Sequence, residues 1–375
     1  MSLIANVKRN ISNIPGWRTS KKIVVIESDD WGSIRMSSSD SYSRMLKSGF
    51  PVDGSHYTKY DSLECNDDLS NLYELLSKYK DIHSRNPVFT AVSIVGNPDF
   101  KKILDSDFKS YYFEPFTETL KKYPNHDNVY SLYKEGIEKR LFVPVFHGRE
   151  HLNVKRWMTD LQNGNKSVIQ AFHEGVTGID RGINNELLSD FQAAFDIDEP
   201  EDTLYLEKVL TEGLTMFAKL FGYQSKYFVP TNGPFNNSLE FILYENKVQF
   251  INSAKKQIEP LGNQKFKTNV RFLGQKNSLN QRYITRNCFF EPSSPGNMNA
   301  DEWINLCIKE IEIAFRWNKP AIISSHRVNF VGHLDPKNRD IGLKSLDTLL
   351  NKITKKWPNV EFMTTVELGD LINNN

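Results

Sequence analysis

The sequence predicts an α/β fold built on a parallel sheet or barrel, and two observations carry that prediction. Short, almost wholly apolar runs recur along the chain: "IVVI" at 23–26, "PVFTAVSIV" at 87–95, "LFVPVFH" at 141–147 and "AIISSH" at 321–326. Between them lie segments with apolar residues three and four apart. A run apolar on both faces reads as a strand covered on both faces, as in parallel sheets. Strands alternating with helices are the pattern of βαβ units. In such folds the carboxyl ends of the strands carry the chemistry.

The elements follow in order. The first strand runs into "IESDDWGS", from Ile26 to Ser33. Residues 36–66 are polar and long for a loop, so they read as an insertion over one rim. "DDLSNLYELLSKYKDI" reads as a helix capped by Asp67 or Asp68, with Leu69, Leu72, Tyr73, Leu76 and Tyr79 on one face. The strand at 87–95 closes at Gly96-Asn97-Pro98. An aromatic segment at 108–123 is expected to flank or cover the site. Helices are expected near 129–140, 153–161, 202–221, 239–247, 300–317 and 341–357. Strands are expected at 141–147, "YFVP" (227–230), "VQFINS" (248–253), 321–326 and "VEFMT" (360–364). Residues 1–20 read as an N-terminal extension and 21–375 as one domain.

Composition narrows the function classes. The 375 residues are 39% hydrophobic, enough for a sizeable core, and 47 basic against 46 acidic residues leave a net charge of +1. That balance gives no reason to expect a nucleic-acid partner. Cys65, Cys288 and Cys307 are too few and too widely spaced for a disulfide framework or a CxxC metal knuckle. The first residues lack the apolar core of a signal peptide, and no run is long enough to span a membrane. A cytoplasmic protein is the expectation.

Three strands end in metal-binding or proton-transferring side chains. The first leads to Asp29 and Asp30, the strand at 141–147 to His147 and then His151 in "FHGREHL", and the strand at 321–326 to His326. If the strands are parallel, these ends converge on one face. Adjacent aspartates cost energy unless a cation or proton neutralises one. Carboxylate and imidazole together suit a borderline metal such as zinc. His56, His83, His126, His173 and His333 lie in polar or helical contexts and are assigned no role.

These residues resemble the motifs of the NodB-homology polysaccharide deacetylases. "ESDDWG" matches the family's Asp-Asp motif, "HGREH" its His-x-x-x-His, and "IISSH" its last strand ending in histidine. The resemblance spans about 23–371 with long unmatched stretches. It implies a distorted (β/α) barrel with loop insertions. It also implies Asp29 as catalytic base, Asp30, His147 and His151 as ligands of a divalent metal, most simply zinc, and His326 as general acid. The implied reaction is metal-dependent hydrolysis of an N-acetyl or O-acetyl group from a sugar or polysaccharide, the partner being that acetylated substrate.

Two departures from the family pattern matter. The third motif normally carries an arginine, where "FVPTNGPF" has Val229. Another arginine must then hold Asp29, and Arg149, between the two histidines, is expected ahead of Arg286. Glu291, after "NCFF", is expected to polarise His326. Backbone N–H groups near 231–233 are candidates for an oxyanion site, and Trp31 is either a sugar-stacking wall or a core residue. Two alternatives stand beside the deacetylase: a two-carboxylate glycoside hydrolase pairing Asp29 with Glu150 or Glu291, and a non-catalytic glycan-binding barrel, favoured by the missing arginine.

Overall fold

A computed structural model describes residues 3–177, 179, 191–294 and 298–374. Thirteen strands are described: β1 (Lys22–Trp31), β2 (Phe89–Ile94), β3 (Gly96–Pro98), β4 (Phe113–Pro115), β5 (Phe142–Gly148), β6 (Tyr227–Phe228), β7 (Phe250–Asn252), β8 (Lys256–Gly262), β9 (Lys265–Val270), β10 (Arg282–Ile284), β11 (Cys288–Phe289), β12 (Ala321–His326) and β13 (Val360–Phe362). Nine form one sheet in the order β10-β7-β6-β5-β2-β1-β12-β11, with β13 also on β1. Every pairing within it is parallel. The sheet curls with helices around it, so the architecture is a distorted (β/α) barrel whose path does not close among the described residues.

The apolar runs are strands because both of their faces are covered. In β1, Ile23 and Val25 pack inside the barrel with Val92, Val145, Tyr227, Ile284 and Ile322. Val24 and Ile26 point the other way, onto Leu69, Leu72, Ile311 and Leu350 of the surrounding helices. Each fully buried aliphatic side chain contributes about 1.5–3 kcal/mol, and β1, which pairs with β2, β12 and β13, buries nine of its ten residues.

Helix bounds follow local chemistry. The helix Asn66–Ser77 starts one residue before the expected caps: Cys65 is its N-cap, and Asp68 reaches back to accept from the Cys65 N–H at 2.9 Å. The helix Pro336–Lys356 begins five residues earlier than expected, where Asp335 caps it and proline, lacking an N–H, is tolerated at the first position. Lys166–His173 is a further helix, capped by Asn165, between the two that were expected. Residues 36–66 are more structured than an extended loop. They hold helices Ser39–Lys47 and His56–Tyr60, and Met36, Met45, Phe50 and Val52 are buried with Trp157 and Phe172.

The hairpin β8–β9 was not expected, because its inward positions are polar. Gln257 and Glu259 are buried while Ile258 is exposed, and the buried pair is satisfied by Phe235, Asn237 and Asn269. Hydrophobic alternation therefore reads inverted. The N-terminal stretch is tied to the barrel by Trp17, which donates to the Leu273 carbonyl, and by Lys319, which donates to the carbonyls of Pro15, Gly16 and Trp17. Gly16 has φ +91°, and a Cβ there would lie 2.7 Å from the Leu273 oxygen, so the approach requires glycine. Among the described residues no helix is long and apolar enough to cross a membrane, and the three cysteines are free and buried.

Candidate metal centre

Neighbouring strand residues normally face opposite sides of a sheet, yet Asp29 and Asp30 both line one cavity of about 650 Å³ at the strand carboxyl ends. The backbone supplies the reason. The β1–β2 register shifts between Ser28 and Trp31, and Asp30 has φ +79°, a conformation that non-glycine residues seldom adopt and that clusters at functional sites. The same kink turns Trp31 into the core. It is fully buried, edge-on to Phe142 at 4.8 Å, with its indole N–H on Ser28 Oγ at 3.1 Å. Trp31 is a core residue, not a wall for sugar, because the kink turns it away from the cavity.

Asp30, His147 and His151 come together, with candidate ligand atoms all within 4.8 Å of one another. Asp30 Oδ1 lies 3.4 Å from His147 Nε2 and 3.1 Å from His151 Nε2. His147 Nδ1 donates to the Val229 carbonyl at 2.7 Å. A carbonyl only accepts, so this bond fixes the tautomer and leaves Nε2 with a lone pair, as second-shell bonds to metal ligands do. That Nε2 is buried without a hydrogen-bond partner, and it faces a carboxylate oxygen. Two acceptors pointed at one another in a buried site fit a cation between them. Burial lowers the His151 pKa despite the raising effect of Asp30, which favours the neutral, ligating form. Burial raises the Asp30 pKa, but His151, His147 and Arg35 outweigh it and hold the carboxyl well below its usual range. The donor set fits a divalent metal of zinc type.

Arg286 holds Asp29. Its two terminal nitrogens reach Asp29 Oδ2 and Oδ1, each at 2.6 Å, and its Nε reaches Glu27 at 2.5 Å. Glu27 is also held by Tyr227 and Thr365. Burial raises the Asp29 pKa, but Arg286 outweighs it and keeps the carboxyl below its ordinary value. The expectation that Arg149 would reach Asp29 is corrected. Arg149 pairs with Glu150 at 2.6 and 2.7 Å and with Glu212, and stacks 4.2 Å over the Phe113 ring. It does not line the cavity. Val229, at the position where an arginine was expected, is buried with the barrel interior; it lines the cavity and its carbonyl accepts from His147.

β1 and β12 pair Asp29 with His326, and His326 Nε2 lies 3.9 Å from Asp29 Oδ2. Its Nδ1 is 2.6 Å from Glu291 Oε1, and Asn329 donates to the other Glu291 oxygen at 2.7 Å. Burial lowers the His326 pKa, but Glu291, Asp30 and Asp29 raise it to about 9. Glu291 thus sits between His326 and Asn329.

The insertion contributes Ser55, Tyr57 and Thr58 to the cavity, and Asn232 and Gly233 also line it. Tyr57 sits edge-on to His326 at 5.3 Å and beneath the Arg35 guanidinium at 4.8 Å. The segment 108–123 does not line the cavity: β4 pairs with β3 and packs near Arg149 instead. Arg35, Lys255 and Arg9 line the cavity and were not anticipated. Arg35 stands between Asp30 at 3.6 Å and Asp61 at 3.4 Å. Its position five residues after Asp30 was the only signal for it, and a lone arginine in a loop is a weak one.

No protein-family model matches the sequence, and no curated protein matches it. Solved structures do resemble it. A probable polysaccharide deacetylase from Pseudomonas aeruginosa PAO1 superposes with TM-score 0.48 at 9% identity, over 94% of this chain and 91% of that one. A CE4 family pseudoenzyme from Bacillus anthracis gives 0.39 at 11%, over 91% and 63%. A 4-alpha-glucanotransferase from Thermococcus litoralis gives 0.42 at 9%, over 94% and 40%. Likeness at this identity concerns the fold alone, so function has to be argued from the site.

Proposed function

We propose that the protein is a metal-dependent deacetylase that hydrolyses an acetyl group, N-linked before O-linked, from a sugar or polysaccharide. The observation that carries this reading is the pair of buried acceptors, Asp30 Oδ1 and His147 Nε2, facing each other 3.4 Å apart beside His151. Asp30, His147 and His151 would hold the ion, with zinc the best match to the donor set. A divalent ion there supplies Lewis acidity and positive charge next to the scissile carbonyl.

The chain's own residues divide the proton work. Asp29, kept ionised by Arg286, accepts the proton of the attacking water. His326, kept protonated by Glu291, donates to the leaving amine. Asp29 and His326 share one cavity and face each other across the β1–β12 register, so base and acid stand at one reacting carbon. Arg286 answers the feature that favoured a non-catalytic barrel, since the charge that Val229 cannot supply arrives from another strand end. A glycoside hydrolase reading loses its second carboxylate: Glu150 is engaged by Arg149 and Glu291 by His326 and Asn329.

The test is elemental analysis of the purified protein with acetate release measured on a panel of acetylated sugars. About one zinc per chain and acetate release that is lost in His151→Ala, with the variant still folded by circular dichroism, are expected. Metal bound as tightly by His151→Ala as by the parent would overturn the ligand assignment.

A further inference from the structure

The cavity that holds the proposed metal centre is also lined by Lys255, Asn287 and Phe289 and, from the helix Leu3–Ser12 and the residue after it, by Arg9, Ser12 and Asn13. Bonds among these residues fix that wall. Asn13 donates to the Arg9 carbonyl at 2.9 Å and accepts from Asn287 at 3.0 Å.

Three arginines and a lysine line the cavity, and the three arginines are matched by carboxylates. Arg286 faces Asp29 and Glu27. Arg35 faces Asp30 and Asp61. Arg9 faces Glu310 at 2.6 Å. Lys255 has no carboxylate within 4 Å among the described residues. Its Nζ donates to two neutral acceptors, the Ser12 carbonyl at 3.0 Å and the Ser12 hydroxyl at 3.1 Å. An ammonium has three donors, so one is left over. Burial lowers its pKa, and Cys288 and Glu310 offset only part of that. A half-buried cation costs free energy unless an anion or several acceptors answer it, and the protein places this one on the wall of the cavity that holds the proposed metal centre, at a position held by the N-terminal helix.

We propose that Lys255 receives an anionic group, a carboxylate or a phosphate, carried by the substrate. The proposal rests on the deacetylase reading for the statement that the substrate is an acetylated sugar, and makes that sugar an acidic one. Lys255 binds the anion as a point charge with its free donor, while the Ser12 contacts hold the ammonium in place.

Calorimetric binding of three sugars to the full-length, metal-loaded protein tests it: neutral N-acetylglucosamine, N-acetylglucosamine 1-phosphate and N-acetylmuramic acid, which carries a carboxylate. At least one acidic sugar is expected to bind about tenfold more tightly than the neutral one, a charge-assisted hydrogen bond's worth. Which of the two does so distinguishes phosphate from carboxylate. The preference is expected to vanish in Lys255→Gln and persist in Lys255→Arg, which keeps the charge should the glutamine variant loosen the N-terminal helix. Equal binding of all three sugars to the wild-type protein overturns the proposal, as does a preference that survives in Lys255→Gln, which would assign it to the metal. Acetate release from the same sugars is read in parallel. An anion preference that depends on Lys255 without acetate release leaves the subsite standing and removes the deacetylase, whereas acetate release without that preference does the reverse.

Discussion

The stretch after β5 and the link between β10 and β11 each place an arginine at a strand's carboxyl end, and they use it in opposite ways. Arg149 follows His147 by two residues, so strand alternation continued through Gly148 would keep it on the histidine's face. Gly148, however, has φ +152°, and the β2–β5 register shifts beside it. The alternation breaks, and Arg149 finds Glu150 and Glu212. Arg286 follows Ile284 by two residues, Ile284 lies in the barrel interior, and although β10 ends at Ile284 no positive φ intervenes before Arg286, which meets Asp29. Closeness in sequence to His147 and His151 was a weaker guide than a position two residues beyond one that faces the barrel interior.

The largest effect that would sharpen this contrast is Arg286→Ala. It removes the guanidinium that pairs with both Glu27 and Asp29, which costs about 3–5 kcal/mol of stability, and it frees the orientation of Asp29, so turnover per folded molecule should fall about 100-fold or more. Urea unfolding and acetate release check the two parts. Turnover close to that of the parent would mean that Asp29 needs no arginine.

Arg149→Ala should behave differently. Glu150 is buried and loses its bidentate partner, so a similar loss of about 3–5 kcal/mol in stability is expected. Turnover per folded molecule and metal content should be unchanged, because Arg149 touches no residue of the centre other than through the backbone next to His147 and His151. A loss of turnover larger than the loss of folded protein would return Arg149 to the site.

Glu291→Gln tests the acid side with a smaller effect. The folded-state pKa of His326 is raised to about 9 over an unfolded value of about 6.5. Its imidazolium therefore stabilises the fold fully below about pH 6.5, and that contribution is lost as pH rises through about 9. The glutamine variant lacks the anion that raises it. The stability gap between parent and variant should be widest below about pH 6.5 and should narrow toward pH 9. Denaturation across this range measures it, and a gap constant with pH would detach Glu291 from His326.

Much of the scaffold was legible because it rests on local or nearest-neighbour physics. The runs at 23–26, 89–94, 142–146 and 321–325 are apolar on both faces, so their burial in a sheet follows from composition alone. The strands that were missed, β3, β4 and β8 through β11, have polar inward positions or only two or three residues, too short for a period to show. Trp31 was ambiguous in sequence because an indole serves a core or a sugar equally well, and only the kink at Asp30 sent it inward.

The sequence by itself determined the strand–helix alternation, and it set Asp29, Asp30, His147, His151 and His326 at the ends of apolar runs, where a parallel sheet brings them to one rim. Tertiary structure alone decided which charges meet. Arg286 lies 257 residues from Asp29 and reaches it because β10 and β1 curl toward a common interior. Arg35 is set between Asp30 and Asp61 by the folded insertion, and Lys255 is held against the N-terminal helix by Ser12. The physical reason is range. Hydrophobic periodicity is written in neighbours three or four residues apart, whereas the pairing of buried charges depends on distances that exist only once the sheet has curled.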